Sequence, residues 1–246
     1  MPFLQEVRLM ADKMKLTITR RRFLRQCSAL TAVAVFLGPA QLRAAKNKDA
    51  AEVGVTPTED LMREHGVLRR LLLVYGDIKE RLGGGKEFPL AVLSGAIDLI
   101  RRFIEDYHEK DEENYIFPRF EKAGKLVDLV KVLYAQHQAG RKVTAQLQGL
   151  ATPAALQQPT ERQKLITYLE AFIRMYRPHA AWEDTVLYPA FRSVITPQEF
   201  DALGDQFEDK EQELFGKDGY EKIVAEVAGL EKKLGVHDLS QFTPKV

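Results

Sequence analysis

The stretch from His108 to Phe120, HEKDEENYIFPRF, recurs in the chain as HAAWEDTVLYPAF, from His179 to Phe191. Both copies contain His-x-x-x-Glu, an acidic residue, an apolar run, an aromatic residue, proline and a final phenylalanine. Two further histidines, His65 and His137, are separated along the chain by the same distance as the two stretches, to within one residue. A single shift that relates all these residues indicates an internal duplication.

The spacing within each copy places metal-binding side chains on one face of a helix. Residues four apart on an α-helix share a face, and His65 and His137 add two imidazoles on two other predicted helices. A four-helix bundle brings such side chains together in its core, and imidazole with carboxylate but no thiolate suits iron, manganese or zinc. Any one of these histidines alone would more often be a hydrogen-bonded core or surface residue, but the repeat favours a metal. The candidate ligands are His65, His108, Glu112, His137, His179 and Glu183.

The composition indicates a globular protein with an unusual N-terminus. The chain has 246 residues, of which 45% are hydrophobic and 29% charged, enough to bury a core. Residues 1–45 carry eight Lys/Arg and two Asp/Glu, which leaves the remainder mildly acidic. That balance predicts no binding to nucleic acid. The one cysteine, Cys27, lies in the basic segment, so residues 46–246 can form no internal disulfide.

The basic segment has the features of an export signal. Thr19 to Arg25, TRRRFLR, fits the twin-arginine pattern, and a short apolar run from Ser28 to Leu37 follows it. The order of basic, apolar and small residues predicts a signal peptide over residues 1–45, with cleavage near Ala44 or Ala45. The run is shorter than the roughly 20 apolar residues that span a bilayer. We therefore expect a periplasmic protein without stable membrane insertion; a basic surface helix and an uncleaved membrane anchor are the alternatives.

After a linker over residues 46–55, the pattern predicts an all-α fold. Thr56-Pro57-Thr58-Glu59 is a helix start with a capping box, and Thr160 to Gln163 is interpreted as another. Pro118 is expected to kink its helix or begin its end, and Pro178 to interrupt the helix that carries His179. The predicted helices cover about 57–82, 89–122, 126–150, 160–191, 197–214 and 219–234.

From these residues the chain resembles a hemerythrin-like (HHE cation-binding) domain, over roughly residues 56–240. The resemblance rests on Arg63-Glu64-His65, His137 with Gly140-Arg141, and the two repeated stretches with Phe117-Pro118 and Tyr188-Pro189. It implies an up-down four-helix bundle, here with additional C-terminal helices, around a non-haem di-iron centre. The implied cofactor is two iron ions, with manganese or zinc as alternatives. The four histidines would be terminal ligands, and Glu112 and Glu183 would bridge the two metals.

One residue departs from the oxygen-carrying members of that family. They have a further histidine four residues after the ligand on the third helix, where this chain has Arg141, which cannot ligate a metal. Each iron would then have two imidazoles, two bridging carboxylate oxygens and an oxo or hydroxo bridge, which leaves one open position. The set is similar to that of di-iron proteins of iron–sulfur repair, but those usually have a cysteine-bearing N-terminal module and work in the cytoplasm. Repair is therefore not assigned.

Residues near the candidate ligands suggest supporting roles. Arg69 and Arg141 are expected to pair with Glu113, Asp184 or the ligand carboxylates, with plain surface charge as the alternative. Tyr115 is expected to pack in the core, with a redox role at the centre as the alternative. Trp182 is expected to be a packing residue and His237 an ordinary exposed histidine.

Two classes of function remain, with a weaker third. The first is an exported protein that binds dioxygen, nitric oxide or a related small oxidant for sensing, storage or delivery. The second is an enzyme that reduces or activates peroxide, nitric oxide or dioxygen at the same centre. The third is a bundle in which metal only holds the helices together. The expected partners are a small diatomic or peroxide ligand and, for signalling or electron transfer, a separate protein.

Overall fold

The computed structural model describes residues 55–245, and the predicted signal peptide and nearly all of the predicted linker lie outside them. The described residues form helices and no strand, which confirms the all-α prediction. Seven helices follow one another: α1 Pro57–Gly83, α2 over residues 90–123, α3 Val127–Leu150, α4 Pro153–Gln157, α5 over residues 159–191, α6 Pro197–Phe215 and α7 Gly219–Leu234. A short 3₁₀ turn, Leu239–Phe242, ends the described chain.

The start of α1 has the predicted capping box, and the start of α6, where a helix start alone was predicted, has one as well. At α1, the Thr56 side chain accepts from the backbone N–H of Glu59, whose carboxylate accepts from the N–H of Thr56. Thr196 and Glu199 make the same reciprocal pair at the start of α6. Both capping boxes satisfy N–H groups that the first turn of a helix leaves without partners.

The start of α5 differs from the prediction of a capping box at Thr160. The helix begins one residue earlier, at Pro159, after Gln158, and has no side-chain cap. Proline is well suited to the first helical position because its φ is preset and it has no N–H to satisfy. The residues before it form the short, unpredicted α4, whose first turn is capped by Thr152.

The two long helices that contain the repeated stretches change their hydrogen-bonding pattern at matching places. In α2, π-helical turns cover Ile100–His108 and Glu112–Ile116. In α5, one covers Glu183–Leu187. Each glutamate therefore begins a π-helical segment that ends just before Phe117-Pro118 or Tyr188-Pro189. The proline six residues after each glutamate has no N–H group to donate to a helical hydrogen bond. The wider π-helical turns accommodate this proline, so α2 continues to Ala123.

The expectation that Pro178 interrupts its helix was wrong. The α-helical segment Pro159–Trp182 runs through this proline. Pro178 is exposed, so the carbonyl that loses its partner one turn earlier can face solvent.

The bundle contains two apolar clusters. One includes Leu68, Phe103 and Phe172 and extends to α7, which packs on α1 and α2. The other includes Leu61, Phe120 and Phe191 and extends to α6. On each of the four long helices the candidate ligands lie between members of one cluster and members of the other. Within the described part of the chain, no helix is both long and apolar enough to cross a membrane.

Candidate metal centre

All six candidate ligands meet in the middle of the bundle, and all are at most 3% exposed. The rings of His65 and His108 lie 4.7 Å apart between centroids, and those of His137 and His179 lie 4.9 Å apart. The helices α1 and α2 supply the first pair, and α3 and α5 supply the second. The structure therefore arranges the four imidazoles as two neighbouring pairs.

The two glutamates lie between these pairs. Oε2 of Glu183 is 3.3 Å from Nε2 of His65 and 3.1 Å from Nε2 of His179. Oε2 of Glu112 is 3.5 Å from Nε2 of His108 and 3.4 Å from Nε2 of His137. Each carboxylate thus contacts one imidazole of each pair, which is the arrangement that a bridging ligand requires.

The donor atoms are suited to metal ions. Nε2 of His65, Oε2 of Glu112 and both carboxylate oxygens of Glu183 are buried and have no hydrogen-bond partner. Buried polar atoms without partners are costly. Metal–nitrogen bonds of about 2.1 Å place neighbouring ligand atoms about 3 Å apart, close to the spacings seen here. Donor atoms of Glu112, His137, His179 and Glu183 all lie within 4.8 Å of one another, as do those of His65, His108 and Glu112.

Each imidazole is oriented by a partner on its other nitrogen. Three Nδ1 atoms face carboxylates, and the fourth faces an amide oxygen. The distances are 2.7 Å from His65 to Asp184, 2.8 Å from His108 to Glu64, 3.2 Å from His137 to Glu113 and 2.9 Å from His179 to Gln136. A hydrogen bond at Nδ1 fixes the ring orientation and leaves Nε2 directed at the centre, as in most histidine metal sites.

These outer partners follow the same duplication as the ligands. Gln136 is related to Glu64 by the same shift that relates His137 to His65, and Asp184 is related to Glu113 by the shift between the two stretches. The sequence interpretation did not assign the roles of Glu64 and Gln136. Their positions could have indicated these roles, because each residue directly precedes a repeated histidine and the repeat relates the two residues to each other.

Arginines hold the outer carboxylates, as predicted. Arg69 pairs with Asp184, and Arg141 lies 2.7 Å from Glu113 and 2.7 Å from Glu109. Arg141 stands at the sequence position where the oxygen carriers have a further histidine, and it binds carboxylates instead. Its half-buried position strengthens those charge-assisted contacts.

The carboxylates and burial shift the protonation of the imidazoles in opposite directions. Burial lowers the pKa of His65, but the hydrogen bond to Asp184 and the nearby carboxylate of Glu183 outweigh it and raise the pKa to about 9. Burial dominates at His108 and lowers its pKa to about 3. Burial raises the pKa of Glu183, yet the neighbouring His179 and His65 hold that pKa well below its usual value. Glu183 is therefore ionised, as a ligand that bridges two cations must be.

Two tyrosines contact the centre, and Tyr115, for which a redox role was the alternative, does not. The hydroxyl of Tyr188 donates to Oε1 of Glu112 at 2.7 Å, whereas the repeat has Phe117 at the matching position. The hydroxyl of Tyr176 donates to Glu109 at 2.5 Å, and its ring lies 5.3 Å from that of His179. Tyr115 packs against Phe207 and accepts from Gln206, so its packing role is confirmed.

The expectation for Trp182 was wrong, and that for His237 was right. Trp182 is 55% exposed, and it lines an open pocket of about 270 Å³ together with Leu129, Val132, Leu133, Gln136, Pro178 and His179. Trp182 and Glu183 are about 100° apart around the axis of α5, so one side chain can face solvent while the other is buried. His237 lies exposed after α7.

Comparisons with known proteins agree with this site. The family model of the hemerythrin HHE cation-binding domain matches residues 56–191, which contain all six candidate ligands. The chain is 48% identical over 193 residues to the uncharacterized proteins Mb2018 of Mycobacterium bovis and Rv1995 of Mycobacterium tuberculosis, covering 78% of this chain and 76% of each relative. No solved structure gives a significant match. With a matched family model over more than half of its length and a His/Glu cluster that can hold metal, the chain belongs to the hemerythrin HHE cation-binding family.

Proposed function

We propose that this protein is an exported non-haem di-iron protein that binds dioxygen, nitric oxide or a related small oxidant for sensing, storage or delivery. One observation carries the proposal: two imidazole pairs are joined through two carboxylates, each of which contacts both pairs. His65 and His108 would hold one iron, His137 and His179 the other, and Glu112 and Glu183 would bridge them. Such a pair of metals supplies reversible binding of a small ligand.

The residue at position 141 supports small-ligand binding. Arg141 contributes no ligand, and its guanidinium is engaged by Glu109 and Glu113. The six donors are then shared between two metals without an additional imidazole. The described side chains would therefore leave room at a bound metal for a small oxidant.

The pocket beside His179 supports a route for an uncharged ligand. Its walls are apolar except for the Gln136 amide and the edge of His179. His179 is almost completely buried. The pocket brings solvent close to this candidate ligand. Dioxygen and nitric oxide are small and apolar and suit such walls, whereas hydrated ions do not.

The enzymatic alternative is favoured by Tyr176. This phenol is buried, donates to Glu109 and lies against the His179 ring. A buried O–H group beside a metal centre is suited to reduction of peroxide, nitric oxide or dioxygen, which consumes protons. Binding remains the main proposal because no redox partner is required for it.

Absorption spectroscopy with metal analysis tests the proposal. Protein purified from the exported fraction is expected to contain iron and to show a spectral change with dioxygen or nitric oxide that reverses on removal of the gas. Sustained consumption of the gas or of peroxide would favour the enzyme instead. Metal that neither nitric oxide nor dioxygen can reach would leave only a structural role and would contradict both.

A further inference from the structure

The two halves of the centre differ at one pair of matching positions. Nδ1 of His108 lies 2.8 Å from a carboxylate oxygen of Glu64, whereas Nδ1 of His179 lies 2.9 Å from the amide oxygen of Gln136. The duplication relates these contacts by the same shift as the ligands. The geometry is therefore the same in both halves while the partner changes from anionic to neutral.

The other two histidines face carboxylates in both halves. His65 faces Asp184, which pairs with Arg69, and His137 faces Glu113, which pairs with Arg141. The charges around these pairs are not identical, because Glu113 also contacts Lys110 and Arg141 also contacts Glu109. The bridging carboxylates contact both halves. Among the four histidine contacts, the Glu64–Gln136 difference is the one in which matching histidines face partners of different charge.

We infer that Gln136 makes the His137–His179 position the weaker and more readily exchanged of the two metal positions, an inference that rests on the proposed function. A carboxylate at Nδ1 makes an imidazole a stronger donor and stabilises the positive charge of the metal. Changing such an outer partner typically alters metal affinity about 10–100-fold. The His65–His108 position, with Glu64, fills first and holds its metal longer.

The surroundings of Gln136 agree with this assignment. Gln136 and His179 both line the open pocket beside Trp182. His108 and Glu64 are each 1% exposed, inside the bundle. The position predicted to bind more weakly is therefore also the one nearer to solvent.

Titration of the purified protein with metal alone tests this inference. Protein stripped by a chelator is titrated with Zn²⁺, a redox-inactive probe, and binding is followed by calorimetry. The wild type is expected to bind two ions in steps about 10–100-fold apart in affinity. Gln136→Glu should tighten the weaker step, and Glu64→Gln should weaken the tighter step, so that each variant brings the steps together. Gln146→Glu adds the same charge to an exposed position of α3 and should leave both steps unchanged.

The outcomes separate this inference from the function on which it rests. Two ions bound with equal affinity in the wild type would overturn the inference and leave the metal centre intact. Unchanged steps in both Gln136→Glu and Glu64→Gln, with native circular dichroism, would overturn it as well. Failure to bind any metal would overturn both the inference and the proposed function.

Discussion

A β-carbon added at Gly140 would lie 2.0 Å from the hydroxyl oxygen of Tyr176. Tyr176 cannot easily move away, because its ring packs 4.4 Å from Phe172 and its hydroxyl donates to Glu109. Glycine at this position therefore lets α3 and α5 approach closely beside His179. The Gly140-Arg141 pair in the sequence has a physical reason at each residue: close approach at the first and a carboxylate clamp at the second.

Gly140→Ala should consequently destabilise the protein. Overpacking a buried site typically costs about 1–3 kcal/mol, which a lower midpoint in thermal unfolding will show. Gly149→Ala is the matched control, since it lies on the same helix with open space around its β-position. Alanine there should stabilise by about 0.5–1 kcal/mol through helix propensity. Equal effects of the two substitutions would argue against the close contact.

The buried Glu105 predicts a pH dependence of stability. Burial raises its pKa to about 7 from a usual 4.5, so the folded protein keeps a proton that the unfolded chain has released. The stability associated with this proton is full below pH 4.5 and is lost as the pH rises through about 7. Glu105→Gln, which is always neutral, should gain on the order of 1–3 kcal/mol relative to wild type between pH 5 and pH 8.

Guanidinium unfolding at several pH values measures this difference. Asp98→Asn, at an exposed position of the same helix, is the control and should show no such trend. Asp111, whose pKa burial also raises to about 7, is present in both proteins and cancels in the comparison. Parallel stability curves for wild type and Glu105→Gln would show that Glu105 ionises normally.

The pocket beside His179 predicts which substitution hinders ligand entry. Val132 lines the pocket and is 53% exposed, so Val132→Trp should fill it without disturbing the core. Nitric oxide binding to the metal-loaded protein, followed by stopped-flow absorption, should slow several-fold. Tyr134→Trp adds the same side chain to an exposed position of α3 outside the pocket and should leave the rate unchanged. Equal rates in wild type and Val132→Trp would place the route elsewhere.

The proposed twin-arginine signal predicts export that depends on its arginine pair. Arg20→Lys with Arg21→Lys should retain the protein in the cytoplasm, because twin-arginine export recognises that pair in TRRRFLR. Arg8→Lys with Arg43→Lys keeps the same charge elsewhere in residues 1–45 and should leave export intact. Quantifying the protein in periplasmic extracts distinguishes them, and equal export of both variants would contradict the signal.

The sequence predicted most of the bundle because its main signals are local or periodic. The capping box at Thr56 depends on residues three apart. The convergence of the His/Glu set follows from helical spacing combined with a repeat. The roles of Arg69 and Arg141 followed because each lies one helical turn after a histidine.

The remaining features depend on tertiary contacts or on competition between local signals. The helix α5 begins at Pro159 and not at the start expected at Thr160. Proline favours the first position of a helix, and Pro159 lies one residue earlier in the chain. The π-helical turns that begin at Glu112 and Glu183 were not predicted, because the spacing of residues that indicates an α-helix does not identify π-helical turns. The exposure of Trp182 depends on which face of α5 meets solvent. The helical spacing of the sequence did not determine whether this residue, next to the buried Glu183, faces the core or the solvent.

Metal content tests the central claim most directly. Elemental analysis of the purified wild type is expected to give two metal ions per chain. His108→Ala and Glu183→Ala should each lose at least one ion and melt at lower temperature, because bound metal stabilises only the folded state. His237→Ala, outside the bundle core, should change neither value. Retention of two ions per chain in both His108→Ala and Glu183→Ala would contradict the assignment of this cluster as a two-metal centre.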